Sequence, residues 1–266
     1  MNSNKITIMG VLNVTPDSFS DGGIFADVDE AVRHAKKMAG EGADIIDVGG
    51  ESTRPGSAPV SEKEELKRVT PVIKALVKNL NARISIDTCK PKVAEKCLNL
   101  GASLVNDITG LLNRKMIDVV ARHKVPVVIV HMKGEPGSMQ KNPSYYDVVD
   151  EIKAFFASRI KEAGKQGIES VILDPGIGFG KTTGHNLQIL KRLGEFREFG
   201  YPVLIGPSRK SFIGEITGLP VNERLEGTIA AVSIAVLNGA DMVRVHDVKE
   251  CIRAVKVANA VRCADG

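Results

Sequence analysis

The chain has 266 residues, of which 43% are hydrophobic and 26% are charged, with a formal net charge of +4. That length is enough for one large α/β domain, and the absence of basic runs with interleaved aromatics argues against a nucleic-acid-binding protein. No apolar stretch approaches the ~20 residues that span a membrane, so no membrane association is expected. The four cysteines form no CxxC pair and lie in no histidine cluster, which predicts reduced thiols in a cytoplasmic protein and no zinc site.

Short apolar runs alternate with longer amphipathic segments along the chain. Eight runs predict β-strands, at residues 7–12, 44–49, 83–88, 103–108, 125–132, 170–176, 202–206 and 242–247. Several runs are almost continuously apolar, which is typical of parallel strands that are covered on both faces. The segments between them carry helix signals, including possible capping boxes at Asp27 with Glu30 and at Ser61 with Glu64.

Eight strand–helix units in a chain of this length predict the α/β class and a (β/α)8 TIM barrel. The alternative is an open doubly wound sheet, but no GxGxxG motif follows the first strand and the units are evenly spaced from end to end. We find no linker or low-complexity tract, so we expect residues 1–266 to form a single domain.

Three of the predicted strand-to-helix loops are long, at residues 14–26, 50–60 and 133–143. The carboxyl ends of barrel strands form the active-site face, so these loops gather at one mouth. Long loops inside compact domains usually have a function. We therefore expect "NVTPDSFSDGG", residues 13–23, to be a mobile flap over a site.

Polar residues end several of the predicted strands. Asp87 and Asp174 follow apolar runs, so their carboxylates are expected to be partly buried, and Asn106 offers an amide donor and an amide acceptor. A heterocycle with adjacent N–H donors, such as an aminopyrimidinone, matches a carboxylate in two parallel hydrogen bonds. Any one of these residues could instead be a turn or helix cap, but the convergence of several at one mouth favours a binding site.

Three cations lie near the ends of the last two predicted strands. Arg244 and His246 are two residues apart and point to the same face, and Lys210 follows the seventh strand in "GPSRKSF". Loops after strands 7 and 8 often form a phosphate site in barrels, so this set predicts an anion site.

The stretch "DPGIGFGKT", residues 174–182, is close to a P-loop, but Pro175 stands where the first glycine is required. Helical periodicity resumes only after Gly184, which also argues against nucleotide binding. The glycines instead suggest a backbone that a flat ligand can approach closely. His34, His123 and His185 lie in or beside helical segments and are interpreted as structural or solvated.

The motifs in chain order resemble the dihydropteroate synthase family of pterin-binding enzymes. They are "MGVLNVTPDSFSDGG", "GGESTRPGS", "SIDTCKP", "VNDITG", "HMKGEPGSMQ", "DPGIGFGK", "GPSRKSFIG" and "VRVHDV". The resemblance implies a TIM-barrel homodimer that joins 6-hydroxymethyl-7,8-dihydropterin pyrophosphate to p-aminobenzoate with Mg²⁺. The products are 7,8-dihydropteroate and pyrophosphate, in folate biosynthesis.

The resemblance also implies residue roles. The pterin would be held by Asp87, Asn106, Asp174, Lys210 and Met132, and the pyrophosphate by Asn13, Thr53, Arg54, Arg244 and His246. The p-aminobenzoate would contact Phe19, Thr53, Pro55, Phe179 and Ser208, Mg²⁺ would be placed by Asn13, and the catalytic set would be Asp174, Lys210, Arg54 and Asp87.

In the implied mechanism pyrophosphate leaves first, as Mg²⁺ and the cations absorb its charge, and the aryl amine attacks the pterin-stabilised cation. Two alternatives remain. A pterin-binding methyltransferase that acts on a corrinoid should lack "ESTRPG", "SRKSF" and "RVHDV", and this chain has all three. A catalytically silent pterin-binding protein should have lost loop residues or Arg244, and none is lost.

Overall fold

The computed structural model describes residues 5–15, 23–52 and 59–264. In this part of the chain eight strands lie parallel to one another in one sheet. They are β1 Thr7–Asn13, β2 Ile45–Gly49, β3 Arg83–Asp87, β4 Leu104–Asp107, β5 Val127–Val130, β6 Val171–Asp174, β7 Leu204–Ile205 and β8 Met242–Val245. The ladder order is β6-β5-β4-β3-β2-β1-β8-β7.

Helices alternate with the strands along the chain. The α-helices are α1 Gly23–Glu41, α2 Glu62–Asn79, α3 Pro91–Asn99, α4 Arg114–His123, α5 Val148–Gly164, α6 Thr183–Lys191, α7 Ser211–Thr217, α8 Leu225–Leu237 and α9 Val248–Arg262. Two 3-10 helices, Leu193–Phe199 and Val221–Glu223, precede β7 and α8. Over the described residues, none of the helices is both long and apolar enough to cross a bilayer.

The two ends of the ladder meet between β6 and β7, where the pairing is short. β7 pairs with β8 through Leu204 and Ile205 only. On its other side a single parallel bridge joins Leu173 to Val203. The sheet therefore closes into a (β/α)8 barrel, and the predicted fold class is confirmed. The domain bounds 1–266 stay a prediction.

Alternation along the strands gives the barrel an inner and an outer core. Ile46 and Val48 face outward, and they belong to the large cluster that packs the strands against the helices. Residues of the opposite parity meet inside the barrel, in a cluster that includes Met9, Ile45, Leu104, Val128, Ile172, Leu204 and Met242. Apolar runs covered on both faces are what a parallel barrel requires, since each strand contributes to both cores.

The local predictions have mixed outcomes. Ser61 caps α2, because its side chain accepts a hydrogen bond from the Glu64 backbone N–H at 3.2 Å, as predicted. The predicted capping box at Asp27 is wrong, because α1 begins at Gly23 and Asp27 lies inside it. The sequence does not indicate that α1 begins at Gly23, because the preceding residues have a polar composition typical of a loop and Gly23 is not a capping signal.

Candidate active site

A polar layer lies directly above the apolar interior of the barrel, at the carboxyl ends of the strands. On four strands an apolar residue of the inner cluster is followed two positions later by a polar one. The four polar residues are Asp47 after Ile45, Asn106 after Leu104, Asp174 after Ile172 and Arg244 after Met242. Residues two apart on a strand share a face, so all four side chains point into the barrel.

Arg244 lies at the centre of this layer. Its Nε donates to Asp47 Oδ2 at 2.6 Å, and one terminal nitrogen donates to Asp87 Oδ2 at 2.6 Å. Asn106 also donates to Asp47 Oδ2, at 2.9 Å. Within the described part of the chain, Asn106 Oδ1 is buried without a hydrogen-bond partner. The amide is thus fixed with its acceptor oxygen available to a ligand.

Burial and charge compete in this cluster. Burial raises the pKa of the Asp87 carboxyl to about 7, although Arg244 beside it acts in the opposite direction. Burial alone would lower the pKa of Arg244, but Asp47 and Asp87 outweigh it and the pKa rises above its ordinary value. Arg244 is therefore a permanent cation that keeps two carboxylates close together at the floor of the mouth.

Asp174, Lys210 and Phe179 form the neighbouring part of the site. Asp174 ends β6, and its Oδ1 accepts a hydrogen bond from the Gly176 N–H at 2.8 Å. Burial raises the pKa of the Asp174 carboxyl. Lys210 Nζ lies 4.1 Å from the centroid of the Phe179 ring, and burial lowers its pKa to about 8. A carboxylate, a cation and an aromatic wall therefore meet at the β6–β7 side of the mouth.

The glycines of "DPGIGFGK" serve the packing of two loops. Gly176 and Gly180 have φ values of +70° and +64°, and a Cβ at either would lie 2.0 Å from a backbone oxygen, that of His131 or Lys133. These two glycines let the β6–α6 loop approach the β5–α5 loop. The expectation that all the glycines of the motif face a flat ligand is therefore wrong for these two. Gly178 packs instead beside the Lys210 side chain.

Ser208 and His246 are brought together by the ends of β7 and β8. Ser208 Oγ lies 3.0 Å from His246 Nδ1. Between Ser208 and Lys210, Arg209 has a left-handed φ of 57°, and its guanidinium donates to Asp247 at 2.5 and 2.9 Å. That ion pair supports a strained backbone, which directs Ser208 and Lys210 to the site.

Asn13 and Asp87 lie on either side of Gly49. A Cβ at Gly49 would be 3.8 Å from Asn13 Oδ1 and 3.6 Å from Asp87 Oδ2, so a side chain there would enter the space between them. Oxygen donors suit Mg²⁺, which usually binds one or two protein oxygens together with substrate phosphates. The described residues hold no cluster of three or more His, Cys, Asp or Glu suited to a metal. This sparse oxygen set fits that mode of Mg²⁺ binding.

The remaining predicted site residues fall into two groups. Met132 follows β5 and packs on the inner apolar cluster. Phe19, Thr53, Arg54 and Pro55 lie outside the described residues, as do residues 16–22 of the predicted flap. At the described ends of the second long loop, the Val60 N–H donates to Glu51 Oε1 at 2.9 Å, which closes the base of the loop.

Asp47 and Lys181 are among the buried polar residues that the sequence does not reveal. Asp47 is 0% exposed and contacts both Arg244 and Asn106. Lys181 is 3% exposed and lies between the β5 and β6 loops. The signal for Asp47 was a carboxylate within "DIIDVG", two residues after an inward-facing isoleucine. Of the histidines interpreted as structural or solvated, His185 forms a capping box with Thr182 at the start of α6.

Comparison with known proteins agrees with this geometry. The family model described as "Pterin binding enzyme" matches residues 9–246. The chain belongs to this family of pterin-binding enzymes. Within the family it falls among the dihydropteroate synthases, since it is 47% identical to that of Escherichia coli (strain K12) over 259 residues, 97% of this chain and 92% of the relative.

Solved structures show the same relationship. The dihydropteroate synthase of Yersinia pestis, in a sulfonamide drug complex, superposes with a TM-score of 0.94 at 44% identity and covers 99% of this chain and 97% of its own. That of Xanthomonas albilineans, in complex with 7,8-dihydropteroate, gives a TM-score of 0.89 at 41% identity over 100% of this chain and 97% of its own.

Proposed function

We propose that the chain catalyses the condensation of 6-hydroxymethyl-7,8-dihydropterin pyrophosphate with p-aminobenzoate in folate synthesis. It is a transferase of the pterinylmethyl group, as its membership of the dihydropteroate synthases indicates. The observation that carries the proposal is the polar layer at the barrel mouth. There, hydrogen-bond acceptors suited to an aminopyrimidinone lie beside the cations that a pyrophosphate requires.

Pterin recognition follows from the acceptor set. The free Oδ1 of Asn106 and the carboxylates of Asp87 and Asp174 face the same space, while Asp47 holds the amide of Asn106. Carboxylates accept paired N–H donors strongly when the site is buried. Lys210 supplies a donor for the ring carbonyl. Unpaired buried acceptors are costly, so a ligand with N–H groups is favoured over an apolar ligand.

The chemical step is a charge separation that these residues are arranged to stabilise. As the C–O bond to pyrophosphate breaks, negative charge develops on the leaving group near Arg244, and positive charge develops on the exocyclic carbon of the pterin. Contact with a cationic pterin would favour the ionised form of Asp174, which in turn stabilises that cation. The weakly basic amine of p-aminobenzoate then attacks the carbon, and the Lys210 and Phe179 pair forms one wall of its pocket.

We include Mg²⁺ in the proposal, with Asn13 as its protein ligand. When bound, the ion would neutralise part of the charge on the pyrophosphate oxygens. The support is that Asn13 Oδ1 and Asp87 Oδ2 both lie beside Gly49, together with the anionic leaving group that the reaction requires.

A direct assay tests the function. Purified protein with pterin pyrophosphate, p-aminobenzoate and Mg²⁺ should yield dihydropteroate and pyrophosphate, and omission of Mg²⁺ should slow the reaction. Methyl transfer from a methylated folate to a corrinoid serves as the control reaction. Methyl transfer without condensation would reject the proposal in favour of a pterin-binding methyltransferase, and ligand binding without either reaction would indicate a silent binding protein.

We further propose that the enzyme is a cytoplasmic homodimer. All four cysteines are free thiols in the structure, which suits a reducing compartment. Large apolar side chains are exposed on and beside α7 and α8, at Ile216, Leu219, Val221, Ile234 and Leu237. An exposed apolar patch of this kind is typical of a subunit interface. Sedimentation equilibrium should give twice the monomer mass, and Ile234→Asp should lower it to that of a monomer.

A further inference from the structure

Lys181 is a buried amine that the proposed reaction does not use directly. It lies near the end of the β6–α6 loop, and burial lowers its pKa to about 7, although the charge of Asp174 acts in the opposite direction. Nζ lies 3.0 Å from His131 Nδ1, 3.1 Å from the His131 carbonyl oxygen and 3.0 Å from the Phe179 carbonyl oxygen. An ammonium has three N–H donors, so these three acceptors satisfy it completely.

None of the three partners carries a charge. Two are backbone carbonyl oxygens, and His131 is neutral because burial, assisted by the charge of Lys181, lowers its pKa to about 2. Burying a lysine without a carboxylate in direct contact is costly, and a neutral donor could have joined the same backbone atoms. The contacts of Lys181, rather than an ion pair, therefore indicate its role.

Lys181 contacts Phe179 of the p-aminobenzoate subsite directly, and it joins this residue to the end of β5. Through the Phe179 carbonyl it holds the residue whose ring lies 4.1 Å below Lys210 Nζ. Through the two contacts with His131 it holds the residue before Met132. An ammonium accommodates carbonyl dipoles from two loops at once, and charge-assisted hydrogen bonds are about twice as strong as neutral ones. The two loops are thus kept in one relative position.

The β6–α6 loop has further supports that do not involve Lys181. The Gly178 N–H donates to Asn186 Oδ1 at 2.9 Å, and the Tyr145 hydroxyl donates to the Gly180 carbonyl oxygen at 2.9 Å. Gln140 also donates to the Gly178 carbonyl oxygen. Loss of the ammonium should therefore leave the loop in place while it releases the Phe179 carbonyl.

We propose that Lys181 is a positioning residue that fixes the Phe179 ring beside Lys210 and thereby sets the affinity for the arylamine substrate. This inference depends on the proposed function, since it assigns the pocket beside Phe179 to p-aminobenzoate. Lys181 does not touch the reacting atoms. Its effect should appear in the KM for p-aminobenzoate, while the KM for the pterin pyrophosphate and the turnover at saturation stay close to those of the wild type.

The test uses the full chain with steady-state kinetics for both substrates. Lys181→Met should raise the KM for p-aminobenzoate about tenfold, because the Phe179 carbonyl oxygen loses its hydrogen bond to Lys181. The kcat should change less than about threefold. Lys181→Gln, which retains a shorter neutral donor, should fall between Met and wild type. Lys141→Met is the matched control, because this lysine lies exposed on the neighbouring loop and its loss should leave both KM values unchanged.

A double-mutant cycle with Phe179→Ala separates positioning from general destabilisation. If Lys181 acts through the Phe179 ring, Lys181→Met should add little to the KM for p-aminobenzoate when that ring is absent. Additive effects, or equal losses for both substrates, would overturn the inference. So would failure of both Lys181 variants to fold, since the residue would then be purely structural. A wild type that forms no dihydropteroate would reject the proposed function itself, an outcome that the same assay reports separately.

Discussion

The lower and upper layers of the barrel interior are built by the same strands but have opposite chemistry. Ile45, Leu104, Ile172 and Met242 form part of a closed apolar layer. Two residues further along the same strands the layer is polar: Asp47, Asn106 and Arg244 are joined by hydrogen bonds, and Asp174 adds another buried carboxylate. The residues of the two layers lie on the same strands, and their side chains point into the same interior. The two layers therefore differ only in their depth along the barrel axis and in the chemistry of their side chains.

This contrast explains how the site can carry so many unpaired polar atoms. The lower layer excludes water and closes the barrel, while Asp47 Oδ1, Ser85 Oγ and Asn106 Oδ1 are buried in the described structure without partners. Unpaired buried polar atoms lower the free energy of unfolding, so the apolar layer below must compensate for that loss. Substitutions in the lower layer should therefore change only the unfolding free energy. Substitutions in the upper layer should change binding or catalysis, and they should also change stability where they leave a buried charge unpaired.

The largest effect on turnover is expected on β6, where Asp174 of the upper layer can be compared with Ile172 of the lower layer. Asp174→Asn removes charge beside both the bound pterin and the developing cation, and should lower turnover ~10²-fold or more while weakening pterin binding. Ile172→Val, two residues below, should leave turnover unchanged and cost about 1 kcal/mol of unfolding free energy. Steady-state kinetics and urea unfolding of both variants measure the contrast, and near wild-type turnover of Asp174→Asn would remove this residue from the mechanism.

Arg244→Ala tests the centre of the upper layer. Binding of pyrophosphate and of the pyrophosphorylated substrate should weaken at least about tenfold, whereas binding of the bare pterin persists. The variant also leaves Asp47 and Asp87 without their cation, so unfolding free energy should fall by about 3 kcal/mol. Calorimetric titration with each ligand measures the difference, and equal losses for the two ligands would contradict the assignment of Arg244 to the pyrophosphate.

A smaller effect is expected for Asp47→Asn, since the amide keeps the shape of the side chain. The variant still accepts hydrogen bonds but no longer holds Arg244 by charge, so the KM for the pterin pyrophosphate should rise about tenfold. Ile45→Val is the control in the layer below and should change only stability. If Asp47→Asn leaves this KM unaltered, Asp87 alone must orient Arg244.

The smallest effect is a pH dependence of stability. The unfolded pKa of an aspartate is about 3.9, and burial raises that of Asp87 to about 7. Between about pH 3.9 and about pH 7 the folded protein retains a proton that the unfolded chain releases. The contribution of Asp87 to the free energy of unfolding is therefore greatest below about pH 3.9, and it is lost as the pH rises through about 7. Urea unfolding at about pH 5 and about pH 7 should show a larger loss for the wild type than for Asp87→Asn.

The contrast between layers also shows what could be predicted from the sequence. Asp87, Asn106 and Asp174 were predictable because each ends an apolar run and therefore lies at the mouth. Asp47 was not, because it stands inside such a run, and its partners Asn106 and Arg244 come from strands 59 and 197 positions away. Their meeting depends on the barrel register, which the pattern of one strand does not encode.

Lys181 was missed for a related reason. Its motif resembles a phosphate loop without the first glycine, and nothing local shows that its side chain reaches His131 on another loop. The glycines of that motif were assigned to ligand approach, yet Gly176 and Gly180 serve contact between loops. Contacts between loops depend on how neighbouring strands end relative to one another, so they emerge only in three dimensions.

A substrate bound at the narrow junction between β6 and β7 would also hold these two edges of the barrel together. Asp174 ends one edge of this junction and Lys210 follows the other, while the backbone between them is joined by a single bridge at Leu173 and Val203. A pterin held by both side chains would span the gap, so part of its binding energy would hold the barrel shut. Amide hydrogen exchange at Leu173, Leu204 and Ile205 should therefore slow more on pterin binding than exchange at β2 or β3, whose ladders are continuous.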